Sequence, residues 1–105
     1  MFKKAFVILL TLSSPFPVSS AVNNFDLMCG IYIEAINTTM PLTEKYIYID
    51  TRIKATVKGE ARGIYLLKSQ VDPADRYNIV VKVAEHELKK PWSCKAMKQI
   101  LDTVE

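Results

Sequence analysis

The chain is short of the residues that most chemistry needs: one histidine, two cysteines and three glycines in 105 residues. A zinc site takes three or four ligands, and His86 has no second histidine to join it. Its neighbours Glu85 and Glu87 point in other directions on a helix, so no metal and no other cofactor is expected. No glycine-rich phosphate loop is present. Cys29 and Cys94 do not form a Cys-x-x-Cys pair, which removes the simplest redox function. Ser69 and Ser93 have no activating base in a recognisable motif. The catalytic roles cannot be filled, so an enzyme is not expected.

Charge of one sign is also scarce. Fourteen basic against eleven acidic residues leave +3, and two of those positive charges, Lys3 and Lys4, stand in the first four residues. A nucleic-acid partner asks for a basic stripe, and none is present. Long apolar runs are missing as well, since a membrane-spanning helix needs about 20 residues. The apolar half of the composition nevertheless excludes a disordered tail, and the length allows one domain.

Residues 1–21 read as a cleaved signal peptide: a basic start at Lys3 and Lys4, an apolar run from Ala5 to Leu12, and Ser19-Ser20-Ala21 as the small residues before a cleavage site. Residues 22–105 then form a single small domain, periplasmic or secreted, with no stable membrane anchor. Export leads to an oxidising space, so Cys29 and Cys94 are expected as one disulfide that staples a small core.

The expected fold class is α+β: a small disulfide-stapled domain with an N-terminal helix, a long antiparallel β-hairpin and a C-terminal αα-hairpin. In residues 24–37 the polar positions Asp26, Gly30, Glu34 and Asn37 line one side of a helix, with Asn23 as cap. Alternation of Ile31, Ile33 and Ala35 keeps a strand open there. Over Tyr46–Lys58 the odd positions are Ile47, Ile49, Thr51, Ile53, Ala55 and Val57, and the even ones carry tyrosines and charges, which predicts a strand. Gly59-Glu60 offers a hairpin turn, with Ile64 and Leu66 on the inner face of the second strand. Asp72-Pro73 predicts a helix start, and Tyr77, Val80, Val81, Ala84 and Leu88 make its stripe, with Glu85 and Lys89 paired. Pro91 ends it. Ser93 is expected to cap a last helix whose stripe is Met97, Ile100, Leu101 and Val104. Trp92 is expected to plug the corner between these two helices.

On the outer face of the long strand, Tyr46, Tyr48, Arg52 and Lys54 would stand in a row. Tyrosine and arginine commonly anchor interfaces, so these four are the candidate partner-binding residues, and the partner is expected to be a protein. The segment Cys29-Gly30-Ile31-Tyr32-Ile33-Glu34 resembles the Cys-x-Gly-Tyr-Ile-x-Gly segment of periplasmic immunity proteins of type VI secretion amidase toxins. The helix–break–helix run from Tyr77 to Val104 is similar to their C-terminal half. Ala35 and Ile36 stand where that family has glycine, and Cys94 lies at the start of the last helix rather than at the chain end. The resemblance implies a periplasmic immunity or inhibitor protein that blocks a toxin or cell-wall enzyme by docking. The alternative is a secreted or surface accessory subunit that self-associates as an oligomer.

Overall fold

Asn23 caps the first helix by accepting a hydrogen bond from the Asp26 amide at 2.8 Å, which satisfies one of the free N–H groups of a helix start. The computed structural model describes residues 23–103; the segment expected as a signal peptide and the expected stripe residue Val104 lie outside them. Helix α1, Asn24–Ile36, follows. Met28, Ile31, Tyr32 and Ala35 on it are buried, joined by Phe25. This helix is the centre of the fold, with α2, α3 and α5 packed around it.

The β-hairpin is not there. Residues Leu42–Thr56 form helix α2 and Gly59–Leu67 form helix α3. No strand occurs among the described residues, and the α+β expectation gives way to an all-helical domain of five α-helices. The physical reason lies in which residues bury. Ile49, Ile53 and Val57 have almost no exposed surface, and a spacing of four suits a helix face as well as one side of a strand. The residues that completed the alternation, Ile47, Thr51 and Ala55, are exposed. The β preference of isoleucine and tyrosine is overridden by packing against α1.

Between α2 and α3 the chain turns through extended Val57 and Lys58 into Gly59 at φ +66°, a left-handed conformation that glycine adopts without a Cβ penalty. The Lys58 amide donates to Asn24 Oδ1 at 3.0 Å and ties this turn to the start of α1. Helix α3 buries Ala61, Ile64 and Tyr65 at i, i+3 and i+4. Leu66, expected inside, is 45% exposed.

Two short 3-10 turns, Lys68–Gln70 and Pro73–Asp75, lead into α4, Arg76–Leu88. Asp72 thus precedes a 3-10 turn rather than capping the α-helix. Val80 and Ala84 face the core. Lys89 ends α4 in the left-handed region at φ 60°. The expected Glu85–Lys89 pair does not form. Glu85 Oε2 instead accepts from the Trp92 amide at 3.1 Å, and Lys89 Nζ donates to the His86 carbonyl.

Helix α5, Lys95–Leu101, is capped by Cys94, whose sulfur accepts from the Met97 amide, and not by Ser93. Cys29 and Cys94 are disulfide-bonded, so the middle of α1 is joined to the first turn of α5. Trp92 reaches beyond its own corner to α1. Its indole packs edge-on against Phe25 with ring centres 6.0 Å apart, and its Nε1 donates to Asp26 at 2.9 Å.

Candidate functional site

Because residues 42–56 are helical, the four candidate residues do not share one face. Successive positions turn by about 100°, so Tyr48 and Arg52 fall on one flank of α2, and Tyr46 and Lys54 on another. The two flanks carry different chemistry.

On the first flank, Tyr48 and Arg52 are one turn apart and converge on Glu34 of α1. The Tyr48 hydroxyl donates to Glu34 Oε1 at 2.8 Å, and Arg52 Nη1 donates to the same oxygen at 2.9 Å. Arg52 also donates to the Tyr48 oxygen and lies 5.4 Å from its ring centre. Hydrogen bonding to Glu34 pushes the Tyr48 hydroxyl above its ordinary range, helped by desolvation. The ion pair is exposed to solvent and contributes less than about 1 kcal/mol to stability. Its consequence is geometric: the two side chains are held in place before anything binds. Between this flank and the other, α2 presents Ile47, Thr51 and Ala55, all exposed.

The second flank borders an open groove of about 430 Å³. Tyr32 of α1 and Tyr65 of α3, both almost fully buried, line it together with the half-exposed Asp50 of α2. Ile49, Ile100 and Leu101 give it apolar walls. Lys68 and Arg76 supply positive charge, and Tyr46 and Ile47 form part of the rim. The Tyr46 hydroxyl is 3.1 Å from Thr103 Oγ1. Lys54 pairs with Asp50 at 3.0 Å in an i, i+4 bridge.

The Tyr65 hydroxyl donates to Asp50 Oδ1 at 2.8 Å. Burial pushes the Asp50 carboxyl up, but hydrogen bonds from Lys54 and Tyr65 outweigh it and hold the group below the usual carboxylate range. Burial pushes the Tyr65 hydroxyl far up, and the bond to Asp50 adds to this. Burial does the same to Tyr32, with Asp50 nearby as the second cause. Lys68 is lowered, first by burial and then by Arg76. Its ammonium sits 4.3 Å from the centre of the Tyr65 ring.

The sequence pattern groups Tyr46, Tyr48, Arg52 and Lys54 on one strand face, whereas the structure divides them between two flanks of α2 and sets Glu34, Tyr65, Lys68 and Arg76 beside them. The i, i+4 spacings Tyr48–Arg52 and Asp50–Lys54 were a helical signal that could have found both flanks. No sequence signal brings Lys68 and Arg76 beside Tyr32. His86 is exposed on α4. Among the described residues no group of three Cys, His or carboxylate side chains is placed to hold a metal, and no helix is long and apolar enough to cross a membrane. No protein family, curated protein or solved structure matches the chain.

Proposed function

We propose that this chain is an exported binding protein of the immunity or inhibitor type, which docks on a toxin or cell-wall enzyme and blocks its cleft. The outer surface of α2 is the observation that supports this most. Ile47 is 65% exposed and shares that surface with Tyr48 and Arg52, both already fixed by Glu34. Tyrosine and arginine dominate interface hot spots, and side chains ordered in advance lose less entropy on binding. Export accords with the pattern of residues 1–21 and with the Cys29–Cys94 bond, since disulfides persist in oxidising compartments. The likeness of residues 29–34 to periplasmic immunity proteins points the same way.

The test is capture from source-cell envelope extract with tagged oxidised protein, run beside Ile47→Asp and Tyr48→Ala/Arg52→Ala variants. One secreted toxin or cell-wall hydrolase, retained in equal amount and lost with the variants, is the expected result. Retention of the same protein by all variants excludes the α2 surface. Recovery of the chain alone as a defined oligomer moves the reading to a self-associating accessory subunit.

A further inference from the structure

The groove on the other flank of α2 carries a tyrosine hydroxyl that no other described residue engages. Tyr32 is 2% exposed, its side chain lines the groove, and its hydroxyl makes no hydrogen bond among the described residues. Tyr65, beside it, has spent its proton on Asp50, and Asp50 is further neutralised by Lys54.

Positive charge faces the same space. Lys68 stands over the Tyr65 ring and forms no ion pair among the described residues. Arg76 spends Nε on the Val71 carbonyl and Nη2 on the Ser69 carbonyl, and forms no ion pair either. Its third nitrogen has no partner among the described residues. Two cations are thus crowded together in partly dry surroundings, which depresses Lys68. A single negative charge placed between them removes that penalty. The walls of Ile49, Ile100 and Leu101 are apolar, and the volume of about 430 Å³ falls in the range of small-molecule sites.

We infer that this groove binds a small apolar carboxylate, an aromatic or branched aliphatic body carrying one anionic group. The body lies against Ile49, Ile100 and Leu101. The carboxylate accepts from the Tyr32 hydroxyl, Lys68 Nζ and the free Arg76 nitrogen. Asp50, which also lines the groove, favours a single charge over a doubly charged phosphate. This site adjoins the outer surface of α2 assigned above to a protein partner, and the two share only Ile47 on the groove rim.

The test titrates the oxidised protein with 3-phenylpropionate, and in parallel with neutral 3-phenylpropanamide, following the resonances of residues on the groove by NMR. The acid is expected to move the Tyr32, Tyr65 and Lys68 signals, and the amide to bind about tenfold more weakly, the worth of one charge-assisted hydrogen bond. Tyr32→Phe keeps the ring and breaks no hydrogen bond among the described residues, so its melting temperature stays close to that of the parent while acid binding weakens by about tenfold. Lys68→Gln, which breaks no ion pair, removes the preference for acid over amide and serves where the first variant fails to fold. Equal binding of acid and amide overturns the proposal. So does the absence of any shift at the groove, or unchanged acid binding in both variants.

Discussion

The Tyr65 hydroxyl and the Asp50 carboxylate meet at 2.8 Å and join α3 to α2 beside the groove. Tyr65 is 6% exposed, so removing its hydroxyl deletes a bond that a buried ring makes to a charged group. Tyr65→Phe is expected to cost about 1.5–3 kcal/mol in chemical denaturation. Tyr32→Phe, a similar change on a neighbouring ring, is expected to cost nothing. Equal losses from the two would contradict the hydrogen-bond assignment.

Asp50 also gives stability a dependence on acid. Its carboxyl is held below the ordinary range in the folded protein, so the unfolded chain takes up the proton first. The contribution is full above the unfolded value of about 4 and is lost as pH falls through the folded one. Unfolding followed from pH 6 to pH 2 should therefore show a steeper decline in the parent than in Asp50→Asn.

The tyrosines act at the other end of the scale. Tyr32, Tyr48 and Tyr65 are all held above the ordinary range, Tyr32 and Tyr65 by burial and Tyr48 by its bond to Glu34. Their contribution is full below the unfolded value of about 10 and is lost as pH rises through the folded values. Titration by absorbance near 295 nm should leave Tyr32 and Tyr65 un-ionised until the chain unfolds, with Tyr48 ionising above the ordinary range. A smooth titration of all five near pH 10 without loss of helix would show that these environments are wrong.

The disulfide closes a long loop, 65 residues in separation. In the chain-entropy treatment its loss costs roughly 4 kcal/mol. The paired Cys29→Ala/Cys94→Ala variant should lower the melting temperature sharply, and the parent should fall similarly on reduction. A change below about 1 kcal/mol would mean that residual contacts between the α1 and α5 segments already confine the unfolded chain.

Trp92 is the single tryptophan and bridges the α4–α5 link to Phe25 and Asp26 of α1. Trp92→Ala should cost about 3–5 kcal/mol, and Trp92→Phe, which loses chiefly the bond to Asp26, distinctly less. In the parent, tryptophan fluorescence should shift red at the same denaturant concentration at which helical signal is lost.

Parts of this fold were legible because several independent signals agreed. Asn23 and the polar line through Glu34 placed α1, and Pro91 with the stripes around it placed α4 and α5. The middle of the chain misled because Ile49, Ile53 and Val57 fit two periods equally. Ile47 and Ala55 then broke the tie toward a strand, although both are exposed. The site followed the same rule. Tyr48 and Arg52 were named from composition, but their partner Glu34 lies on another helix, where no local spacing can point. Lys68 and Arg76 become neighbours only after two 3-10 turns fold the chain back.

The central claim is that the protein stops a partner from working, and inhibition of that partner tests it most directly. The captured toxin or cell-wall enzyme would be assayed with increasing oxidised protein, parent and Ile47→Asp side by side. Activity is predicted to fall to background at one equivalent of parent and to persist with the variant. A partner that stays fully active in a saturated complex would contradict the account.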